Sequence, residues 1–170
     1  MTPDERIVRT SPQMGISVRS IIESLMVSEF LAPSEEMWLV SPWISDVAVL
    51  DNSGGDYDAL LLGSPARMIT LAETLGNLAR VGIRLTVVCR DDAHNIAFRT
   101  RLLRASHGAV RVVLHDDLHE KTWVGSDWLL TGSMNFTYRG IAVNDESVTY
   151  KVTAPAAATA RLDFNHRWPT

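Results

Sequence analysis

The sequence predicts an α/β protein in which a mixed β-sheet is flanked by helices. Short apolar runs of strand length alternate with segments of helical spacing, and a series of neighbouring strands then follows. No internal repeat is visible in the sequence. With 170 residues the chain is long enough for a sizeable core that needs neither a disulfide nor a metal. We therefore expect a single domain over residues 1–170, with a loosely ordered N-terminal segment over residues 1–16.

Four segments have the apolar spacing of helices, and each lies beside a residue that starts or stops a helix. Proline does not continue a helix, and glycine accepts the backbone conformation that ends one. The predicted helices are residues 18–31 before Pro33, residues 66–80 before Gly82, residues 94–106 near Gly108, and residues 155–168 with Pro155 in the first turn.

Six short apolar segments are predicted as strands because turn-forming residues separate them from their neighbours. The predicted strands are residues 37–40, 83–89, 110–114, 121–124, 128–131 and 147–152. The first two are almost entirely apolar, so we expect them to be buried. Residues 51–56 (DNSGGD) are predicted as a flexible turn.

Cysteine content and charge restrict the cell compartment and the partners. The single cysteine, Cys89, lies in an apolar run, which favours a buried, unreactive thiol in a reducing cytoplasm. Residues 1–12 are charged and lack the apolar core of a signal peptide, and no apolar run has the length of a membrane span. We therefore expect a cytoplasmic protein without a membrane partner. The net charge of −4 argues against general nucleic-acid binding but not against a local basic cleft.

One segment towards the C-terminus concentrates residues with phosphate chemistry. His119 and Lys121 are two residues apart, Ser133 and Asn135 are again two apart, and Glu146 follows. Histidine attacks phosphorus or carries a proton, whereas lysine, serine and asparagine hold phosphate oxygens. Side chains two residues apart in a strand lie on the same face of the sheet. The segment therefore predicts a phosphodiester site that needs no metal and no other cofactor.

The order of these residues, H-x-K, then G-S-x-N, then N-x-E, resembles the HKD half-site of the phospholipase D superfamily. The similar stretch runs from Leu118 to Glu146 and includes an N-x-T-x-x-G continuation (Asn135, Thr137 and Gly140) often seen in nuclease-like members. The resemblance implies a phospholipase D-like α/β sandwich over the whole chain. Members with two HKD motifs build one active site at a pseudo-twofold axis, so a chain with one motif is expected to form a symmetric homodimer.

The chain departs from the superfamily pattern at one position. The usual H-x-K-x4-D spacing would place an aspartate at position 126, where this chain has Ser126, and the distance to Gly132 is one residue shorter. The residues around Ser126 have turn chemistry, so a tightened hairpin explains the shorter spacing. Two interpretations are open for the neighbouring Asp127, a substitute for the family's aspartate or a turn residue, and we favour the turn.

The resemblance implies a role for each motif residue. His119 is the nucleophile that forms a phosphohistidine, and the second chain's His119 protonates the leaving oxygen and later activates water. Glu146 hydrogen-bonds an imidazole nitrogen. We assign His119, Lys121, Asn135 and Glu146 to catalysis, and Ser133 together with Lys121 and Asn135 to substrate binding. The alternatives are an exposed histidine at a strand end, a surface lysine, a turn serine and an exposed strand carboxylate.

Five further residues have weaker signals. Gly140 is expected to supply a backbone conformation that other residues resist, and Asn144 to form a turn. Ser41 and Trp43, just past the first predicted strand, either line the cleft or, for the tryptophan, belong to the core. Arg90, at the end of the second, either contacts the substrate backbone or forms a structural ion pair.

A histidine- and acid-rich stretch contains side-chain types that bind metals. Its members are His115, Asp116, Asp117, His119 and Glu120. Histidines four residues apart share one ligand face mainly on a helix, whereas this stretch adjoins strands. We therefore assign no metal site.

The compact single-motif form predicts a metal-independent phosphodiesterase, namely a bacterial endonuclease that acts on DNA. The segments LVSPWISD and GSMNFTYRGI are similar to nuclease-like proteins of bacterial DNA-modification and restriction systems, in particular the component of 7-deazapurine systems. That similarity implies partner proteins that supply recognition. Two other functions stay open: a non-catalytic DNA-binding or scaffold subunit, which the shortened motif favours, and a phosphodiesterase for a lipid or another small diester.

Overall fold

A seven-stranded β-sheet organises the fold. The computed structural model describes residues 5–10, 18–59, 67–142 and 146–169. The elements are β1 (Glu5–Thr10), α1 (Val18–Leu31), β2 (Glu36–Val40), β3 (Ala48–Asp51), β4 (Met68–Thr70), α2 (Leu71–Arg80), β5 (Arg84–Cys89), α3 (Ala93–Ala105), β6 (Arg111–Leu114), β7 (Thr122–Val124), β8 (Trp128–Gly132), α4 (Tyr138–Ala142), β9 (Glu146–Val152) and α5 (Ala154–Arg167). Within the described residues, no helix is long and apolar enough to cross a bilayer.

The large sheet is mixed. Its strand order is β1-β9-β8-β7-β2-β5-β6, with β2, β5 and β6 parallel and the other neighbours antiparallel. Strands β3 and β4 form a separate two-stranded antiparallel sheet. The predicted fold class, a mixed sheet flanked by helices, is therefore confirmed.

Helices cover both faces of the sheet. On β2, Met37 and Leu39 belong to one hydrophobic cluster, whereas Trp38 and Val40 belong to another. Because successive side chains of a strand point to opposite faces, this alternation shows that β2 is buried on both sides. Helices α1 to α4 contribute to the first cluster and α5 to the second.

Cys89, the last residue of β5, lies in the first cluster and is fully buried. Burial raises the pKa of its thiol to about 11. The thiol is therefore protonated at neutral pH, and the predicted burial of this cysteine is confirmed.

Most of the predicted elements are present with boundaries shifted by one or two residues. Helix α1 begins and ends where the apolar spacing placed it, and α3 and α5 are each shifted by one residue towards the N-terminus. The six predicted strands correspond to β2 and to β5 through β9. Gly82 has a φ of 111°, a left-handed conformation that suits its predicted role in ending α2.

The predicted start of the second helix is wrong. Helix α2 begins at Leu71, and the residues before it form β4. Thr70 caps the helix: its hydroxyl accepts a hydrogen bond of 3.3 Å from the Glu73 amide, and the Glu73 carboxylate accepts one of 3.0 Å from the Thr70 amide. This reciprocal capping box fixes the first helical turn after Thr70. Residue 66, where the helix was predicted to begin, lies outside the described residues.

The expected loose N-terminal segment is not loose over residues 5–10. These residues form β1, which pairs antiparallel with β9 from Glu5↔Lys151 to Thr10↔Glu146. In ERIVRT two apolar residues lie between charged ones, and Ile7 is 65% exposed, which suits an edge strand. Residues 1–4 and 11–16 lie outside the described residues.

Candidate active site

The directions of the strands gather five strand ends at one edge of the large sheet. Strands β2 and β5 are parallel, β7 is antiparallel to β2, β8 to β7, and β9 to β8. The C-terminal ends of β2, β5 and β8 therefore meet the N-terminal ends of β7 and β9. We call this boundary the site edge. Its residues of interest are Ser41, Trp43, Arg90, His119, Lys121, Ser133, Asn135 and Glu146.

His119 and Lys121 lie just before β7, in the connection that follows the buried Leu118. His119 is exposed and Lys121 is half-buried. The Lys121 ammonium donates a hydrogen bond of 2.8 Å to the His119 carbonyl oxygen. Strand β7 begins at Thr122, so His119 and Lys121 precede the strand that their spacing predicts for them. The two residues are therefore held together by this hydrogen bond.

Adjacent strands connect Lys121 to the serine and the glutamate of the motif. The Gly132 amide donates a hydrogen bond of 3.3 Å to the Lys121 carbonyl oxygen, which extends the β7–β8 ladder to the site edge. The Ser133 hydroxyl donates to Oε2 of Glu146 and accepts a hydrogen bond of 3.2 Å from the Ser147 amide. Gly132 leaves no room for a side chain, since a β-carbon there would overlap the Ser147 carbonyl oxygen.

Asn135 carries a polar atom without a partner. The residue is half-buried, and its Oδ1 is buried with no hydrogen bond to any described residue. An unpaired buried group of this kind costs about 1–3 kcal/mol. A half-turn of the side-chain amide brings the NH₂ donor to the same position. The site edge therefore contains an amide whose hydrogen-bonding capacity the described part of the chain does not use.

Gly140 and Asn144 were both interpreted through backbone conformation. Gly140 lies in helix α4 and its φ is not positive, so the conformational explanation is wrong. The residue is a glycine because of close packing: a β-carbon there would overlap the Asn135 carbonyl oxygen. Asn144, predicted to form a turn, lies outside the described residues.

Arg90 contacts both Trp43 and His119. Its guanidinium carbon is 4.8 Å from the centre of the Trp43 ring, and its Nε donates a hydrogen bond of 2.9 Å to the Leu118 carbonyl oxygen. Its Nη2 is 3.4 Å from each ring nitrogen of His119. Equal, long distances to two nitrogens indicate contact with the ring rather than one directed hydrogen bond. Among the described residues Arg90 forms no ion pair.

Trp43 differs from the other four tryptophans. Those four are at most 7% exposed and belong to the two hydrophobic clusters. Trp43 is half-buried and belongs to neither cluster, so the core alternative is wrong for this residue. Ser41, in contrast, is fully buried, and its hydroxyl donates a hydrogen bond of 3.0 Å to the Trp43 carbonyl oxygen. Ser41 therefore holds the backbone of Trp43 through this hydrogen bond.

Asn95, which the sequence did not single out, fixes the backbone at the ends of β2 and β5. It is fully buried in α3. Its amide oxygen accepts a hydrogen bond of 2.8 Å from the Ile44 amide. Its amide nitrogen donates bonds of 2.8 Å to the Pro42 carbonyl and 2.9 Å to the Arg90 carbonyl. No local sequence pattern predicts these hydrogen bonds, because they depend on the tertiary structure.

Asp92 caps helix α3 and lies beside the side chain of Trp43. Its carboxylate accepts a hydrogen bond of 2.8 Å from the His94 amide and lies close to the Trp43 indole. The His94 amide, and to a smaller extent the Trp43 indole, keep the pKa of Asp92 below its ordinary value. An aspartate directly before a predicted helix is an N-cap signal that was available in the sequence.

Ser126 and Asp127 lie in the turn between β7 and β8, at the opposite end of this hairpin from the site edge. The Ser126 amide donates a hydrogen bond of 2.7 Å to the Ser34 hydroxyl, and the Ser126 hydroxyl accepts one of 3.2 Å from the Glu35 amide. Asp127 is exposed. This position agrees with the interpretation of Asp127 as a turn residue.

Side chains of the histidine- and acid-rich stretch contact the C-terminal part of the chain instead of one another. The His115 ring packs edge-to-face on Trp168 with ring centres 5.9 Å apart, and Glu120 forms an ion pair of 2.5 Å with Arg167. In the described part of the chain, no three His, Cys, Asp or Glu side chains come together as a metal site.

Comparison with protein families gives a match for residues 62–168, more than half of the chain, to the family described as "Cardiolipin synthase, PLD-like domain". The chain belongs to this PLD-like family. The matched range contains Arg90 and the motif from His119 to Glu146, whereas Trp43 precedes it. No curated protein matches the sequence of this PLD-like chain significantly.

Solved structures share the PLD-like fold at low sequence identity. NucT from Helicobacter pylori matches with a TM-score of 0.64 and 11% identity, over 95% of this chain and 93% of that one. Nuc from Salmonella typhimurium, described as a phospholipase D family member, matches with a TM-score of 0.60 and 14% identity, over 96% of this chain and 94% of that one. The archaeal chromatin protein TrmBL2 matches with 0.55 and 11%, over 96% of this chain and 52% of that one. At these identities the similarity concerns the fold alone.

The site edge of the PLD-like chain offers a defined chemistry. His119 presents an exposed imidazole, and Lys121 and Arg90 place two positive charges beside it. Ser133 contacts Glu146 on the neighbouring strand. The expected hydrogen bond between Glu146 and an imidazole stays a prediction.

Proposed function

We propose that the protein is a metal-independent phosphodiesterase that cuts DNA. The observation that carries this proposal is the connected set of contacts at the site edge. Lys121 binds the backbone of His119, and the β7–β8 ladder continues from Lys121 to Gly132, next to the contact between Ser133 and Glu146. A histidine with a lysine and a hydroxyl group nearby supplies a nucleophile and charge stabilisation without a divalent cation.

His119 is the nucleophile in this scheme. One imidazole nitrogen forms a bond to phosphorus while the bond from phosphorus to the leaving oxygen breaks, and a second imidazole donates a proton to that oxygen. Water then attacks phosphorus, the P–N bond breaks, and the second imidazole takes up a proton from the water. Lys121 and Arg90 stabilise the negative charge that develops on the nonbridging oxygens. Asn135 donates a hydrogen bond to them, and so does the Ser133 hydroxyl once it turns away from Glu146.

Two chains share one active site in this scheme, because each chain has one motif and the reaction uses two imidazoles. A twofold axis through the site edge places one His119 on each side of the phosphate. We expect light scattering at micromolar concentration to give twice the chain mass of 18.8 kDa. An active enzyme with the mass of one chain would contradict the shared site.

DNA is the substrate that the charges at the site edge favour. The chain as a whole has a net charge of −4, yet Lys121 and Arg90 form no ion pair with any described residue. Two such cations side by side attract a polyanionic diester. TrmBL2, which has a similar fold, is described as showing a novel mode of DNA binding, and this supports DNA as the ligand.

The biological role that we propose is defence against DNA that lacks a host modification, within a 7-deazapurine modification and restriction system. The support is the similarity of the segments LVSPWISD and GSMNFTYRGI to nuclease-like proteins of such systems. With the partner proteins present, we expect cleavage of ordinary DNA and sparing of the same DNA with 7-deazaguanine in place of guanine. Equal cleavage of both would contradict the role but not the phosphodiesterase activity.

The activity itself is tested by incubating plasmid and single-stranded DNA with the purified protein in excess EDTA. The parent protein should cut, whereas His119→Ala should not. Vesicles of phosphatidylcholine serve as the lipid arm of the same experiment. Release of a headgroup from vesicles without cleavage of DNA would show that the substrate is a lipid diester.

A non-catalytic DNA-binding subunit is the second candidate function. It is favoured by the fold shared with the chromatin protein TrmBL2 and by the Arg90 guanidinium in contact with the ring of His119. In that case the parent and His119→Ala bind DNA with equal affinity, and neither cuts it even when partner proteins are added. Cleavage by the parent alone would exclude this function.

A further inference from the structure

Trp43 is an aromatic side chain at the site edge that the proposed reaction does not use. It is half-buried and lies outside both hydrophobic clusters, although tryptophan is the side chain with most to gain from burial. The contact of its ring with the guanidinium of Arg90 covers only part of the indole. An aromatic surface therefore remains accessible beside the candidate nucleophile.

The backbone that carries this indole is held by two buried residues. The Ser41 hydroxyl donates a hydrogen bond to the Trp43 carbonyl oxygen, and the Asp92 carboxylate lies close to the indole. The fully buried Asn95 binds the backbone of Pro42 and Ile44, the two residues that flank Trp43. A ring held in this way loses little conformational entropy when a ligand packs against it.

We propose that Trp43 and Arg90 form a subsite that stacks a nucleobase adjacent to the phosphate held at His119. One guanidinium touches both the indole and the imidazole, so the two rings lie within the reach of a single nucleotide. Bases of every type stack on an indole, and arginine adds its charge to the contact and to the neighbouring phosphate. The inference rests on the proposed phosphodiesterase function and names its substrate class.

The subsite has a consequence for the form of the DNA. A base that packs against Trp43 must leave the stack of its own duplex, which costs a few kcal/mol for a paired base and much less for an unpaired one. The preferred substrate is therefore single-stranded DNA or an unpaired stretch. A lipid diester has no ring to place there, so the same subsite distinguishes nucleic acid from phospholipid.

The test compares two substrates of equal length and charge. One is a labelled single-stranded oligonucleotide, and the other is an oligomer of abasic tetrahydrofuran units joined by the same phosphodiesters. Values of kcat/KM are measured in EDTA for the parent, Trp43→Leu and Trp43→Phe. In Trp43→Leu the preference for the base-containing substrate should fall by about 10- to 100-fold, the loss expected for one stacked base. Trp43→Phe should keep most of the preference because phenylalanine keeps an aromatic face.

The control is Leu162→Ala, which removes a side chain that is 71% exposed on α5 and should keep the parent's preference. Thermal melting verifies that each variant folds, and Trp43→Phe remains informative if Trp43→Leu does not. An unchanged preference in folded Trp43→Leu overturns the subsite, as does an equal loss in Trp43→Phe and Trp43→Leu.

A binding measurement separates failure of the subsite from failure of the proposed reaction. If the parent cuts neither substrate, the reaction is contradicted, and fluorescence anisotropy with the two labelled oligomers then decides the subsite. In a His119→Ala background, adding Trp43→Leu should weaken binding of the base-containing strand by about 10- to 100-fold relative to the abasic oligomer. Equal weakening for both oligomers, or none, overturns the subsite.

Discussion

The two ends of the β7–β8 hairpin differ in how far their polar side chains are hydrogen-bonded within the chain. At the turn end, Glu29 is only 2% exposed, and its carboxylate accepts hydrogen bonds from the Ser34 amide (2.8 Å), the Ser34 hydroxyl (2.7 Å) and the Trp128 indole (2.6 Å). The Ser34 hydroxyl in turn accepts a bond of 2.7 Å from the Ser126 amide. A buried carboxylate is thus fully engaged by the chain itself, and this network ties α1 to the turn.

At the site edge, by contrast, some polar side chains lack such partners within the described part of the chain. His119 is exposed, the Lys121 ammonium binds a backbone carbonyl instead of a carboxylate, and Oδ1 of Asn135 is buried without a partner among the described residues. Native chains satisfy nearly all buried polar groups, and departures from that rule concentrate where a ligand binds. The difference suggests that the turn end contributes stability and the site edge contributes activity. Substitutions at the two ends should separate the two properties.

The largest effect is expected for His119→Ala. Loss of the nucleophile should lower the rate of DNA cleavage by at least about 1,000-fold. Because the side chain is exposed, Tm should change by no more than about 2 °C. Plasmid nicking in EDTA and thermal melting by circular dichroism measure the two quantities. Residual cleavage above a tenth of the parent rate would show that another residue is the nucleophile.

At the turn end, Glu29→Ala should have the reverse effect. Three donors lose their acceptor in a buried position, so the free energy of unfolding should fall by about 3 kcal/mol. Cleavage per folded molecule should stay at the parent level well below Tm. Urea denaturation measures the stability, and the exposed Glu35→Ala is the matched control with an expected change below about 0.5 kcal/mol. Loss of cleavage by folded Glu29→Ala would break the separation between the two ends.

Lys121→Arg tests whether positive charge alone is enough at the site edge. Arginine keeps the charge but replaces the compact ammonium, which lies 2.8 Å from the His119 carbonyl oxygen, with a larger planar guanidinium. We expect a loss of about 10- to 100-fold in kcat/KM with unchanged stability. The control is Lys151→Arg, which lies in an ion pair with Glu5 at the opposite end of β9 from Glu146 and should retain the parent rate. Full activity of Lys121→Arg would show that Lys121 contributes only its positive charge.

The fold was predictable where local sequence decides the structure. Helix α1 was located correctly because its apolar spacing stops just before Pro33. Strand β1 was missed because ERIVRT has no alternation of polar and apolar residues and because its pairing with β9 is a long-range event. The start of α2 was misplaced although Thr70 and Glu73 form a capping box that can be recognised in the sequence.

The site was predictable in part for the same reason. The motif residues from His119 to Glu146 stand at short, fixed spacings, so the sequence alone indicates their chemistry. The contact between Trp43 and Arg90 depends on the parallel pairing of β2 with β5, and the support from Asn95 depends on how α3 packs below those strand ends. Neither follows from spacing. Sequence therefore indicated what the site edge contains, and the tertiary structure was needed to learn what holds it.

The smallest effect is expected for Asp127→Asn, which tests the assignment of the two ends most directly. In the superfamily pattern an aspartate belongs next to this position, yet Asp127 is exposed in the turn, at the other end of the hairpin from His119. Asparagine has the same turn propensity, so stability should change by less than about 0.5 kcal/mol and the cleavage rate by less than about 2-fold. Steady-state cleavage and urea denaturation check both values, with Asp127→Ala as the companion variant that also removes the turn chemistry. A loss above about 10-fold in Asp127→Asn, with stability unchanged, would show that the turn end contributes to catalysis.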